Sequence, residues 1–170
     1  MIRFQPYQPA DIGQIHTAVE GKIPPSVDEL AKAAWSFTAR EDDRIVGCGG
    51  ILRVDPWRGL AWALFARGLP MRAMARIRRR CETVLRLAEA DGIHCIEAEV
   101  ALGYVGGHQF ANALGFRFAG VLPGRTGDGG CFIRYVRAAA HVEQPPIRVR
   151  ACLDLADRSL RDFLVLREAA

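Results

Sequence analysis

The sequence has no run of about 18 consecutive apolar residues, the length that a membrane-spanning helix requires. Its opening, MIRFQPYQPAD, also lacks the apolar segment of a secretory signal peptide. These absences argue against a membrane protein and a secreted one, so we expect a cytoplasmic protein. With 170 residues, 50% of them hydrophobic and 25% charged, the chain is typical of one globular domain with a substantial core.

Cysteines are few and poorly placed for cross-linking or metal binding. The five are odd in number, widely spaced and mostly set inside apolar runs: Cys48, Cys81, Cys95, Cys131 and Cys152. This pattern predicts free thiols rather than disulfides. Because no group of cysteines and histidines has the spacing of a zinc site, we predict no metal.

Lysine is nearly absent, since only Lys22 and Lys32 occur and every other basic side chain apart from histidine is arginine. The net charge is nevertheless +4 and the isoelectric point is near 9.0. Two interpretations stay open, a bias of composition or an affinity for phosphate groups or nucleic acid. No nucleic-acid-binding motif accompanies the arginines, so a nucleic-acid partner is not favoured.

The most informative stretch is residues 59–116, where strand and helix patterns alternate. Residues 59–67 form a short apolar run bounded by glycine and proline, which predicts a strand. Over residues 71–91 apolar side chains recur at three- and four-residue steps, which predicts a helix ended by Gly92. Residues 93–100 predict a second strand. A connection of this length predicts a parallel strand pair with a right-handed crossover.

The start of that central helix lies at the open end of the predicted parallel pair. Unpaired backbone amides and the helix dipole make such an end suitable for a phosphate group. We therefore expect residues 67–73 to form the floor of any ligand site.

The flanking segments predict further elements in a regular order. Before the central unit we expect a strand over 2–6, a helix capped by Asp11, a helix opened by a capping box over 26–29, and a hairpin of 35–40 with 44–52. Glycines at 47, 49 and 50 predict a bulge or a close backbone approach in that hairpin. After the central unit we expect a helix over 104–114 and a hairpin of 116–122 with 131–136.

This order predicts an α/β (α+β) fold. We expect one mixed, mostly antiparallel sheet with a central parallel pair and helices on both faces. Residues 1–138 would form this domain. Residues 139–170 would form a C-terminal extension with a proline pair and a helix over 157–167 that packs on the main body or on a second copy, giving a homodimer.

Several segments resemble landmarks of the GNAT (GCN5-related N-acetyltransferase) fold. They are Ile2-Arg3 with Asp11-Ile12 and Ile15, the hairpin sequence AREDDRIVG at 39–47, and Asn112-Ala113-Leu114-Gly115-Phe116 followed by Gly120. The resemblance covers about residues 1–137. It implies a GNAT-like sheet and an enzyme that transfers an acyl group from acetyl-CoA to a small-molecule or peptide amine.

The resemblance also implies a cofactor loop after the fourth strand, with the pattern Arg/Gln-x-x-Gly-x-Gly/Ala, whose amides enclose a pyrophosphate. Residues 67–73 read RGLPMRA here, with one glycine and a proline that donates no N–H. Arginines at 72, 76 and 79 either replace the missing amides or form a solvated helix face. The implied acetyl-CoA contacts are Phe65, Ala66, Arg67, Gly68, Leu69, Met71, Arg72, Ala73 and Arg76.

Catalytic candidates come from the second central strand and the helix after it. Glu97 and Glu99 share one strand face, and in the GNAT fold that strand lines the substrate cleft. A carboxylate there would deprotonate the amine, whereas the alternative is an exposed or ion-paired glutamate. The tyrosine with which many members protonate the leaving thiolate corresponds to Ala111. His108 would replace it, or else pack at the helix start.

A second resemblance is to the GNAT-like proteins of podoviruses, including internal virion proteins. The matching points are Gly49-Gly50, Trp62 with Leu64, the arginines of residues 72–80 without a glycine loop, and His108 before Gly115-Phe116. This resemblance implies a phage or prophage gene, phage-protein partners and a place in the virion instead of the cytoplasm.

Two functions stay open on this basis. The first is an acetyl-CoA-dependent N-acetyltransferase with an eroded cofactor loop. The second is a catalytically inactive GNAT-like protein that serves phage assembly or binds a partner. Pro70, Ala111 and the missing second glycine motivate the second function.

Overall fold

The computed structural model describes residues 1–15, 35–123 and 130–139. In chain order they form β1 (Ile2–Gln5), α1 (Pro9–Ile12), β2 (Trp35–Glu41), β3 (Arg44–Arg53), β4 (Arg58–Phe65), α2 (Met71–Ala90), β5 (Cys95–Ala101), α3 (Val105–Ala113), β6 (Arg117–Leu122) and β7 (Phe132–Ala138). The helix predicted to open at 26–29 and the extension beyond residue 139 lie outside the described residues.

The strands form one seven-stranded sheet in the order β1-β2-β3-β4-β5-β7-β6. Strands β4 and β5 run parallel, and the other five neighbouring pairs are antiparallel. The helix α2 connects these two strands, as the length of the connection predicts. The predicted fold class, a mostly antiparallel sheet with a central parallel pair, is confirmed.

The hairpin of β2 and β3 contains the bulge that its glycines predict. Ala39 pairs with Gly47 whereas Arg40 pairs with Ile45, so Val46 is the additional residue in β3. Gly50 lies so close to β2 that a Cβ atom there would be 2.7 Å from the carbonyl oxygen of Trp35. A larger side chain at this position would separate the two strands.

The main core lies between one face of the sheet and the helices α2 and α3. Helix α2 buries Ala73, Ile77, Val84, Leu85 and Ala88 against it, at the three- and four-residue spacing that predicts the helix. The rings of Phe65 in β4 and Phe110 in α3 meet edge to face with centroids 5.0 Å apart. A second cluster, which includes Tyr7, Cys48 and Trp62, occupies the opposite face beside α1.

Asp11 does not cap the first helix from outside, as the sequence suggests, but lies within it. Pro9 starts the helix two residues earlier, because its fixed φ suits the first turn. The Asp11 carboxylate accepts the Gln8 backbone N–H at 3.1 Å and the Thr38 hydroxyl at 2.6 Å. Asp11 therefore joins α1 to β2.

Four of the cysteines are free thiols in the part of the chain that the structure describes: Cys48, Cys81, Cys95 and Cys131. The same part holds no group of three side chains suited to bind a metal ion. None of its helices is long and apolar enough to cross a membrane.

Candidate functional site

The parallel strands β4 and β5 separate halfway along their length. Their pairing runs from Arg58 opposite Cys95 to Ala61 opposite Ala98 and then stops. Residues 62–65 of β4 stay paired with β3, and residues 99–101 of β5 stay paired with β7. The facing edges beyond the branch point therefore present backbone groups without a strand partner among the described residues. A ligand with amide groups can satisfy such edges.

A cavity of about 470 Å³ begins in this gap and continues between the sheet and the helices α2 and α3. Arg67, Gly68 and Gly106 line one end and are exposed, so the cavity opens to solvent there. Most other lining residues are apolar. The arrangement suits an elongated molecule with a polar end outside and an apolar part inside.

The mouth of the cavity coincides with the start of α2. Pro70 is the N-cap residue, and the first intrahelical bond runs from the Ala73 N–H to the Pro70 carbonyl at 2.9 Å. The amides of Met71 and Arg72 precede that bond, and the first turn carries no acidic side chain. The positive end of the dipole of this 20-residue helix thus lies next to Gly68 and Leu69 in the lining, and its first turn has no carboxylate to oppose it. Proline lies outside the helix proper, so it removes no amide from the first turn.

The predicted cofactor contacts divide into two groups. Those that line the cavity are consecutive in sequence: Phe65, Ala66, Arg67, Gly68 and Leu69. The others belong to α2, where Met71, Arg72 and Arg76 are exposed and Ala73 is buried in the core. Gly68 has a φ of +70°, a conformation that favours glycine, and it turns the chain from β4 into α2.

Glu97 and Glu99 both lie in ion pairs on the face opposite α2. Arg134 in β7 reaches Glu97 at 3.5 Å and Glu99 at 3.6 Å, because the register places it directly across from Glu99. Arg58 also contacts Glu97, at 3.5 Å. Glu99 lines the cavity, whereas Glu97 lies nearer the paired end of β5. Of the two carboxylates, Glu99 is the one that a cavity ligand can reach.

His108 lies on α3 outside the lining of the cavity. Its Nε2 lies 3.0 Å from the Leu102 carbonyl, which can only accept, so that nitrogen carries the proton. Its Nδ1 then accepts the Tyr135 hydroxyl at 3.0 Å. Burial raises the pKa of Tyr135, which keeps this hydroxyl a donor. Both ring nitrogens are thus used to join α3 to β7 and to Leu102, the residue after β5.

Tyr104 is a cavity residue that the sequence reasoning missed. It is the N-cap residue of α3, and its ring packs on Gly107 so closely that a Cβ atom there would lie 2.5 Å from ring Cδ1. The signal was the Gly106-Gly107 pair in the first turn of a helix, where two poor helix formers leave space for a ring. Tyr104 places a phenol at the mouth, while the expected tyrosine position holds Ala111.

Several solved structures with a similar fold are named as acetyltransferases. Ard1 from Thermoplasma volcanium superposes with a TM-score of 0.68 at 14% identity, over 82% of this chain and 99% of that one. The ribosomal-protein-S18-alanine N-acetyltransferase from Escherichia coli gives 0.59 at 13%, over 85% and 100%. A GNAT family acetyltransferase from Elizabethkingia anophelis with acetyl-CoA bound gives 0.54 at 13%, over 81% and 98%.

The chain has the GNAT fold. No family model and no curated protein matches the sequence, so the likeness lies in the fold alone. The order of the strands and helices is the one that the GNAT resemblance in the sequence implies. The resemblance to podoviral GNAT-like proteins stays a prediction.

Proposed function

We propose that this protein is an N-acyltransferase that moves an acyl group from an acyl-CoA thioester, with acetyl-CoA as the reference cofactor, to a small-molecule or peptide amine. The observation that carries the proposal is the opening of the β4–β5 pair into a cavity beside the start of α2. CoA combines an anionic diphosphate, an arm with two amides and an apolar acyl end. These parts match the helix start, the unpaired strand edges and the apolar interior, respectively.

The diphosphate would lie against the first turn of α2. The amides of Met71 and Arg72 point out of that turn, and the arginine side chains at 72 and 76 are exposed on the same helix. A second glycine in the loop would let further backbone amides bind the diphosphate. Charge-assisted hydrogen bonds from the guanidinium groups can take the place of those missing bonds. Of the predicted cofactor contacts, those at the mouth of the cavity and on the exposed surface of α2 would hold the diphosphate, whereas Ala73 is buried in the core.

In the reaction a bond forms between the amine nitrogen and the thioester carbon, and the carbon–sulfur bond breaks. The amine loses one proton and the thiolate gains one. We assign the first proton transfer to Glu99, directly or through water, because it is the carboxylate that lines the cavity. We assign the second to the Tyr104 hydroxyl, since Ala111 and His108 cannot supply a proton inside the cavity.

Calorimetry and turnover together test the proposal. We expect heat on titration with CoA or acetyl-CoA and release of free thiol when an amine is added. Glu99→Gln should lower kcat by about 10²-fold or more, whereas Glu97→Gln should change it much less. Tyr104→Phe should lower kcat with little change in the Kd for CoA. Folded protein that gives neither heat at millimolar CoA nor thiol release would overturn the proposal.

A second candidate is a GNAT-like module without catalysis, which could serve phage assembly or bind a partner. Two observations favour it: Ala111 replaces the expected tyrosine, and the Phe65 and Phe110 rings meet inside the cavity. This candidate predicts CoA binding without thiol release, or no binding at all. Thiol release with any amine acceptor would exclude it, and recovery of the chain in purified virions would support its phage version.

A further inference from the structure

The cavity continues well beyond the branch point of the strands. Its lining follows α2 from Leu69, just before the helix, to Leu85, a distance of about 24 Å at the rise of an α-helix. The gap between β4 and β5 accounts only for its outer part, because the two strands are paired as far as Ala61 and Ala98. The inner part lies between α2, α3 and the sheet.

Small side chains create this inner space. Ala61 and Ala98 face α2 from the sheet and Cys81 faces the sheet from α2, and all three are only half-buried although helix and sheet enclose them. Their accessible surface therefore faces the cavity. Ala111 adds to the space from α3, at the position where the GNAT resemblance expects the bulk of a tyrosine. The absence of that ring lengthens the cavity.

Among the described residues, the inner end offers a ligand no polar side chain except the Cys81 thiol. Val84, Leu85, Leu114 and Phe116 form its walls. Burial raises the pKa of the Cys81 thiol to about 12, so this side chain stays neutral there. A charged or hydrogen-bonding group would lose its hydration in this region without compensation. An alkyl chain has no polar group to lose hydration, so this region suits it.

We propose that the acyl group carried by the thioester is an alkyl chain of medium length that enters the space between α2 and the sheet, lined by Cys81, Leu85, Ala98 and Ala111. This inference rests on the proposed function, which supplies the thioester. With the sulfur at the branch point, an acetyl group leaves the inner space empty, whereas a longer chain fills it. Each buried methylene group then tightens binding by up to roughly fourfold.

Calorimetry with CoA and its acetyl, butyryl, hexanoyl and octanoyl thioesters tests this inference. We expect the Kd to fall roughly two- to fourfold for each added methylene and to level off once the space is full. Equal Kd values for acetyl-CoA and octanoyl-CoA would overturn the inference and leave the proposed function intact. If no CoA compound binds folded protein, the proposed function fails and the inference fails with it.

A pair of variants on α3 locates the chain. Ala111→Leu should place its side chain in the inner space. The increase in affinity from acetyl-CoA to octanoyl-CoA should then be mostly lost, while the Kd for CoA stays within about twofold. Ala113→Leu is the matched control, because Ala113 is exposed on the same helix. This variant should keep the full increase in affinity from acetyl-CoA to octanoyl-CoA.

Thermal unfolding of the unliganded variants gives a second readout. A leucine that fills empty space should leave the Tm of Ala111→Leu at or above that of the unchanged protein. A Tm lower by several degrees would indicate an overpacked core with no such space and would overturn the inference. If the affinity of Ala111→Leu rises across the acyl series as much as that of the unchanged protein, the inference is also overturned.

Discussion

Gly107 controls the position of Tyr104 at the mouth of the cavity. A Cβ atom at Gly107 would lie 2.5 Å from Tyr104 Cδ1 and 2.7 Å from Val100 Cγ1, both closer than packed side chains allow. The glycine therefore sets where the phenol can lie, although it contributes no group of its own.

We expect Gly107→Ala to lower the free energy of unfolding by about 1–3 kcal/mol, because the ring of Tyr104 must move. Gly106→Ala is the matched control: its Cβ would lie 3.5 Å from the nearest ring carbon, an ordinary contact. Since alanine favours a helix over glycine, this control should stabilise the protein by up to about 1 kcal/mol. Denaturant unfolding measures both, and a stabilised Gly107→Ala variant would contradict the expected clash.

At the scale of elements, Arg137 joins α2, α3 and β7 at the end away from the cleft. Its Nε donates to Glu89 at 2.9 Å and its Nη1 donates to the Leu114 carbonyl at 2.5 Å. Leu114 is the C-cap residue of α3, so the second bond satisfies a carbonyl that has no partner within the helix.

Arg137→Ala should lower the free energy of unfolding by about 2–3 kcal/mol, because it removes two charge-assisted bonds and leaves the largely buried Glu89 carboxylate unpaired. The comparison is Arg78→Ala, which breaks the Arg78–Glu82 pair at 3.4 Å on the surface of α2. That change should cost less than about 0.5 kcal/mol. Similar losses in the two variants by denaturant unfolding would show that Arg137 does not join the elements.

For the whole molecule, buried thiols predict a loss of stability at alkaline pH. Burial raises the pKa of Cys48 to about 11 and that of Cys81 to about 12. In the unfolded chain both thiols would ionise near pH 8.5 to 9. Above that range the unfolded state releases protons that the folded state keeps, so unfolding becomes more favourable as the pH rises towards about 11.

We therefore expect a lower urea midpoint at pH 10 than at pH 8. A variant with Cys48→Ala and Cys81→Ala should be less stable at pH 8 but should lose less stability between the two pH values, because it lacks the thiols that ionise on unfolding. Urea unfolding of both proteins at both pH values tests this. An equal loss in the two proteins would assign the pH dependence to other groups.

The fold could be predicted from the sequence because its main features are local. The apolar spacing of α2 and the short apolar runs of β4 and β5 identify a strand–helix–strand unit, and the length of the connection favours a parallel pair. The glycines of β3 likewise predict its close approach to β2. The predicted start of α1 at Asp11 is wrong. Two start signals, Pro9 and Asp11, lie two residues apart, and the helix begins at the proline.

The candidate site could be predicted only in part. Residues 65–69 line the cavity because they are the last residue of β4 and the four that follow it, and the sequence predicts where that strand ends. The ion pairs of Glu97 and Glu99 depend on which β7 residue lies across from them, and register between distant strands is not a local property. Tyr104 reaches the mouth only through the turn between β5 and α3.

The sequence by itself determined the order of the elements, the parallel strand pair and the basic helix that joins its strands. Those features follow from periodicity and chain length, which act over neighbouring residues. Only the tertiary structure decided where the strands separate, which carboxylate reaches the cavity and how far the cavity extends beneath α2. These features depend on the packing of residues far apart in the chain. There a single small side chain, such as that of Ala111, changes the shape of the interior.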